Sequence, residues 1–160
     1  MVIKMLAMDV DGTLTDGKIN VGINGELFKS FDVRDGYGIK HICEKYGIIT
    51  AIISARNSKI VEIRSKELGI LEIHQGVPDK KNKLVELSNK YGLGPNQIAY
   101  IGDDINDLPA FDFAGMTFAP RNSHPSVIDK VDYVLNSDGG CGAVRECIDI
   151  IINKMYGDLV

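Results

Sequence analysis

Asp9 and Asp11 stand two residues apart at the end of a short apolar run, in Asp9-Val10-Asp11-Gly12-Thr13. Ser54 closes a second apolar run, Lys80 precedes a helical pattern, and Gly102-Asp103-Asp104-Ile105-Asn106-Asp107 follows a third run. Taken singly, such residues have ordinary uses, because Asp, Ser and Asn are preferred N-caps and turn formers after strands. Taken together they do not. Three or more carboxylates gathered at one sheet edge repel one another by several kcal/mol at short range unless a cation neutralises them.

The cation is expected to be hard and oxygen-ligated, since the cluster lacks His or Cys at ligand spacing, and Mg²⁺ is the first choice. Asp9, Asp11 and Asp103 supply three negative charges, which Mg²⁺ and Lys80 balance. A phosphate dianion can then enter, with Ser54 and the backbone N–H groups of the turn through Gly12 and Thr13 as donors. An aspartate can itself attack phosphorus. Residues i and i+2 of a strand face the same way, so Asp9 as nucleophile and Asp11 as general acid and base can share one phosphorus.

The elements that must position these groups are legible as a rhythm. Apolar, β-branched runs occur at Val2 to Val10, Ile48 to Ser54, Ile98 to Gly102, Met116 to Ala119 and Tyr133 to Leu135. Between them, apolar residues three and four apart predict helices at Gly38 to Tyr46, Lys59 to Leu68, Lys81 to Tyr91, Leu108 to Ala114 and Ala143 to Met155. Alternating strands and helices predict an α/β fold with a doubly wound parallel sheet, whose ligands bind at the carboxyl ends of the strands. One segment breaks the rhythm: Asn24-Gly25 between alternating apolar residues predicts a β-hairpin at about 17–32. With no linker or repeat, residues 1–160 are expected to form a single domain.

Composition narrows the class. The 160 residues are 44% hydrophobic and 25% charged, which excludes collagen, disorder and a coiled coil. A net charge of −4 with no basic run argues against nucleic acid. No apolar stretch reaches the roughly 20 residues of a membrane span, and Asp9 interrupts the first apolar run, so a cytoplasmic location and no membrane partner are expected. Cys43, Cys141 and Cys147 include no CxxC and read as reduced thiols, the first and last in helix cores. His41, His74 and His124 are scattered and read as surface, strand-end or turn residues. The tail at 156–160 is short enough to fray.

Asp9 to Gly17, Ser54, Lys80 and Gly102 to Asp107 resemble, in order, the four motifs of the haloacid dehalogenase superfamily phosphatases. The resemblance implies a Rossmann-like core, Asp9 as nucleophile, Asp11 as general acid and base, and Ser54 and Lys80 on the phosphate. It also implies a magnesium site made by Asp9, the Asp11 carbonyl and Asp103, with Asp104 and Asp107 as supporting carboxylates. Members often insert a cap domain. Here Ser54 follows Asp11 by only 43 positions and Asp103 follows Lys80 by 23, which leaves no room for one.

Phe31 to Gly38, Ser54-Ala55-Arg56, Gln75-Gly76 and Gly139 to Glu146 narrow the resemblance to the 3-deoxy-D-manno-octulosonate 8-phosphate phosphatase family, capless magnesium enzymes of lipopolysaccharide biosynthesis. It implies a homotetramer packed through its hairpins, subunits that complete one another's sites, and Arg34, Asp35, Gly36 and Arg56 near a sugar-acid substrate. The family usually has a basic residue where this chain has Cys141. A phosphatase of sialic-acid-type 9-phosphates and a catalytically silent assembly module are the alternatives. A receiver-type signalling domain ranks low, because it carries its acceptor aspartate on a later strand.

Overall fold

Side chains alternate across a strand, and β1 (Met5–Met8) uses both sides. Met5 and Ala7 enter one apolar layer, Leu6 and Met8 the other, and all four are fully buried. A strand buried on both faces calls for parallel neighbours and helices above and below. The computed structural model describes residues 2–157 and has that arrangement. After the hairpin strands β2 (Asn20–Gly22) and β3 (Gly25–Phe28) come β4 (Ile49–Ile53), β5 (Glu72–His74), β6 (Ile98–Ile101), β7 (Met116–Ala119) and β8 (Tyr133–Val134). Six strands form one parallel sheet in the order β5-β4-β1-β6-β7-β8.

The helices divide between the faces. Helix α1 (Val33–Tyr37) with its π-helical continuation Gly38–Cys43, α2 (Lys59–Glu67) and α6 (Ala143–Tyr156) cover Leu6 and Met8 through Ile39, Cys43, Val61, Cys147 and Ile148. Helices α3 (Lys80–Tyr91), α4 (Leu108–Phe111) and α5 (Pro125–Ile128) cover Met5 and Ala7 through Leu84, Leu87, Phe111 and Val127. Among the described residues no helix is long and apolar enough to cross a membrane.

Strand order reverses beside β1. The chain runs outward through β4 to β5, then returns to the other side of β1 at β6. Connections that diverge in this way leave a crevice at the carboxyl ends of the strands. The register aligns those ends, since Met8 lies opposite both Ile52 and Ile101. Asp9, Ile53 and Gly102 are therefore level, and the polar residues after each strand open into one space. Among the described residues no cap domain interrupts the chain: only the hairpin and α1 lie between β1 and β4, and only a short turn and one 3₁₀ turn between α3 and β6.

Several elements differ from the sequence reading, among them the short helix α5, which it did not predict. The first helix begins at Val33 rather than Gly38, because Asp32 caps it by accepting the Arg34 N–H at 2.7 Å. Its glycines admit close neighbours that hide the helical pattern: a Cβ on Gly38 would lie 3.0 Å from Ile148 Cδ1. Edge strand β5 is only three residues long, too short for a period of two to show. In the hairpin, Gly22 pairs with Gly25, so Ile23 and Asn24 make the turn and Gly25 supplies the positive φ of 110°.

Hairpin residues Val21, Ile23, Leu27 and Phe28 are exposed. Cys43 and Cys147 are buried as expected, whereas Cys141 is exposed on the loop before α6. Tyr156 belongs to α6 and packs on Tyr46 with ring centroids 5.0 Å apart; residues 158–160 lie outside the described residues.

Candidate active site

Asp9 is the first residue past β1, with its N–H on Ile101 O at 3.0 Å and its side chain almost wholly buried. Burial first, then the charge of Asp107, pushes its carboxyl up to about 6 against the pull of Lys80. Lys80, the opening residue of α3, is buried too, and its Nζ bridges Asp9 Oδ1 at 2.8 Å and Asp107 Oδ1 at 2.6 Å. Burial works to lower the ammonium, but Asp9 and Asp107 overcome it and hold Lys80 above its ordinary value. Lysine is thus fixed in its charged form beside Asp9.

Asp103 faces Asp9 across the crevice. Its carboxyl is pushed up to about 8, by burial and then by the charges of Asp9 and Asp107, so without a cation the Asp9–Asp103 pair retains a proton. Thr13 donates its hydroxyl to Asp103 Oδ1 at 3.2 Å. Gly12, at φ 96°, lies so close to Asp103 that a Cβ there would overlap the carboxylate, which makes this glycine a requirement of contact as well as of backbone.

Carboxylate oxygens of Asp9, Asp103 and Asp107 come within 4.8 Å of one another. Asp107, however, is already saturated. Lys80 Nζ and the Tyr100 hydroxyl donate to its Oδ1 at 2.6 and 2.7 Å, and the N–H groups of Asp103 and Asp104 to its Oδ2 at 3.0 and 3.1 Å. It therefore organises the site from beneath. With their protons given up, three carboxylates against one ammonium leave two excess negative charges in a buried, all-oxygen donor set, which fits a divalent hard cation on Asp9 and Asp103.

Asp11 takes a different partner. Lys29, just past β3 and three positions before Asp32, the N-cap of α1, reaches back so that its Nζ lies 2.5 Å from Asp11 Oδ1 and 2.9 Å from Glu26 Oε1, with the side chain 1% exposed. Arg56 Nε stands 3.8 Å from Asp11 Oδ2. Above these groups opens a cleft of about 180 Å³ lined by Asp9, Asp11, Ser54, Ala55, Arg56, Asp104 and Asn106. A larger depression of about 470 Å³ lies against His74, Gln75 and Glu86, but convergent buried charge, rather than size, marks the site.

Asp9, Asp11, Ser54, Lys80, Asp103, Asp104 and Asp107 are thus gathered as the spacing predicts, and Arg56 joins them as the resemblance implies. Other expectations are corrected. The N–H of Thr13 donates to Val10 O at 3.1 Å and that of Gly12 to Thr15 Oγ1 at 3.3 Å, so both close the turn and are not free to meet an anion. Arg34, Asp35 and Gly36 do not line this cleft. Arg34 is paired with Asp32 and donates to Cys141 O at 2.8 Å. Asp35 is buried and accepts the Arg145 N–H at 2.8 Å near the start of α6, and Gly36 packs under Arg64. Lys29, Glu26 and Tyr100 escaped the sequence reading, since none carries a local motif.

The loop before α6 clamps the turn that carries Asp11. Gly140 N–H donates to Thr13 O at 3.1 Å, Gly139 N–H to Asn122 Oδ1 at 3.0 Å, and a Cβ on Gly139 would overlap the Gly12 carbonyl.

Residues 28–148 match the model of the haloacid dehalogenase-like hydrolases. The chain is 43% identical to the 3-deoxy-D-manno-octulosonate 8-phosphate phosphatase KdsC of Escherichia coli K12, over 94% of this chain and 79% of that one. Among solved structures, the cobalt-bound deoxy-D-mannose-octulosonate 8-phosphate phosphatase of Haemophilus influenzae is similar at a TM-score of 0.93 and 42% identity, covering 98% of this chain and 91% of that one. The Moraxella catarrhalis 3-deoxy-D-manno-octulosonate 8-phosphate phosphatase, in complex with magnesium, phosphate and KDO, is similar at a TM-score of 0.90 and 44% identity, covering 94% and 86%.

Proposed function

The chain belongs to the haloacid dehalogenase-like hydrolases, and on that premise we propose that it is a magnesium-dependent phosphatase hydrolysing 3-deoxy-D-manno-octulosonate 8-phosphate. The observation that carries the reading is the convergence of Asp9, Lys80 and Asp103 beneath an uncapped cleft, in a chain 44% identical to a phosphatase whose structure holds magnesium, phosphate and KDO. Release of KDO feeds lipopolysaccharide synthesis.

The residues divide the reaction. An oxygen of Asp9 attacks phosphorus and the ester P–O bond breaks, while Asp11 gives its proton to the departing sugar alkoxide. Asp11 then takes a proton from a water that attacks the aspartyl phosphate, releasing inorganic phosphate and regenerating Asp9. Lys80 holds Asp9 and, with Ser54, faces the phosphate oxygens. Magnesium held by Asp9, Asp103 and the Asp11 carbonyl neutralises the carboxylates and the incoming phosphate when bound. Arg56 stands at the cleft wall, where a guanidinium can pair with a sugar-acid carboxylate.

We read residues 1–160 as one phosphatase core, cytoplasmic, that assembles as a homotetramer; the exposed apolar hairpin supports the assembly. In such an assembly Arg34 would serve a neighbouring cleft. The test is phosphate release, with magnesium, from a panel holding this octulosonate ester, a nonulosonate 9-phosphate and simple hexose phosphates. The octulosonate ester is expected to be turned over fastest, and Asp9→Asn to abolish turnover. Equal rates across the panel would remove the substrate assignment, and sedimentation of an active monomer would remove the tetramer.

A further inference from the structure

Lys29 is a long cationic side chain whose ammonium is withdrawn from water and closed between two carboxylates, Asp11 at 2.5 Å and Glu26 at 2.9 Å. Burying an ammonium in this way is costly unless it is paired on every side. Glu26 is itself anchored, because it accepts the hydroxyl of Ser58, the N-cap of α2, whose N–H is held by Gln75 Oε1 at 2.8 Å. A continuous strap therefore runs from the start of α2 through the hairpin to Asp11.

We infer that Lys29 is a positioning residue for proton transfer by Asp11, and that Glu26 holds it in place. This rests on the reading of Asp11 as general acid and base. Lys29 takes Oδ1 of Asp11, so the transferred proton travels on Oδ2, the oxygen on the Arg56 side of the carboxylate. Fixing one oxygen removes rotation about the carboxylate and holds the other toward the leaving group, and geometry of this kind governs the efficiency of acid catalysis. The hairpin, outside the sheet that bears the other catalytic groups, thereby becomes part of the catalytic apparatus.

Leaving-group dependence tests this. A sugar alkoxide needs a proton as it departs, whereas p-nitrophenolate does not. In Lys29→Met, kcat/KM for the octulosonate ester is expected to fall ~30-fold or more, within the range that positioned acid catalysis supplies, while kcat/KM for p-nitrophenyl phosphate falls less than about threefold. Slower attack by water should also produce a burst of p-nitrophenol. Lys29→Arg should restore most of the loss, and Glu26→Ala should reproduce the selective loss in smaller degree without relying on the fold of the methionine variant. A parallel fall for both esters, a rise in KM alone, or a folded Glu26→Ala enzyme with no selectivity would overturn the proposal. Asp11→Asn is the control: if it too lacks leaving-group selectivity, the assignment of Asp11 fails, whereas selectivity there and none in the Lys29 variants removes Lys29 only.

Discussion

Lys80 Nζ lies 2.8 Å from Asp9 Oδ1, with both side chains shut away from water. The ammonium also reaches Asp107 Oδ1 at 2.6 Å, so one cation is shared by two buried carboxylates. Removing it leaves uncompensated charge where desolvation is complete. Lys80→Met is expected to lower stability by about 3–5 kcal/mol and turnover on the order of 10³-fold, measured by thermal melting and by phosphate release. A variant with unchanged melting would mean that the pair is not buried in solution.

The metal-free site has a pH signature. Burial and then the neighbouring charges raise Asp9 to about 6 and Asp103 to about 8, both above an ordinary carboxyl. Folded protein therefore holds protons that unfolded protein has released, so stability present at acid pH is lost as pH rises through 6 and then 8. Magnesium displaces those protons, and its stabilisation is expected to be several degrees in melting temperature at pH 8 and much less at pH 5.5. Asp9→Asn, which removes one of the like charges, should raise the melting point in chelator at pH 8 while abolishing turnover. Calorimetry with chelator or magnesium at the two pH values checks this, and equal gains would refute the coupling.

How much of this was legible depends on where each partner lies in the chain. Asp9, Ser54 and Asp103 follow strands, so the periodicity that reveals a strand also reveals them, and a parallel sheet brings strand ends together by construction. Lys29 and Tyr100 have no such marker. Lys29 matters because the hairpin folds back on Asp11, and Tyr100 because the sheet turns its hydroxyl to Asp107, 2.7 Å away. Asp35 shows the opposite case, in which a motif drew attention to a residue that accepts the Arg145 N–H instead of lining the cleft. Long-range closure decides these roles, and spacing along the chain does not record it.

Asp35 makes that role measurable. Burial raises its carboxyl to about 6 despite the Arg145 N–H, and its second oxygen, Oδ2, is buried without a hydrogen-bond partner among the described residues. Because the folded-state value is raised, the protein loses roughly 2–3 kcal/mol as pH climbs from about 4 through 6. Asp35→Asn keeps an acceptor for Arg145 and cannot ionise, so the difference in melting between parent and variant should grow in the variant's favour over that range. Asp35→Ala, which likewise cannot ionise but loses the acceptor, should lie about 1 kcal/mol below Asp35→Asn at any pH. A raised KM in Asp35→Asn, with no change in the pH profile of melting, would place this residue at a substrate instead.

Gly139 tests whether the loop before α6 belongs to the catalytic turn. A Cβ there meets only backbone: it would overlap the Gly12 carbonyl oxygen and lie 2.6 Å from Gly12 C and 3.0 Å from Thr15 O. No rotamer relieves such a clash, so the turn carrying Asp11 and Gly12 must move or the loop must lift. Gly92, the C-cap of α3 at φ 63°, has open space around it, and alanine there strains only the backbone, by roughly 1 kcal/mol. Gly139→Ala is expected to cost about 1–3 kcal/mol and to cut kcat/KM at least tenfold, because displacement of ~1 Å at a catalytic group is worth far more in rate than in stability. Gly92→Ala should lower the melting point and leave kcat/KM unchanged. Comparable losses of activity in the two variants would show that the loop acts through general stability and does not set the position of Asp11.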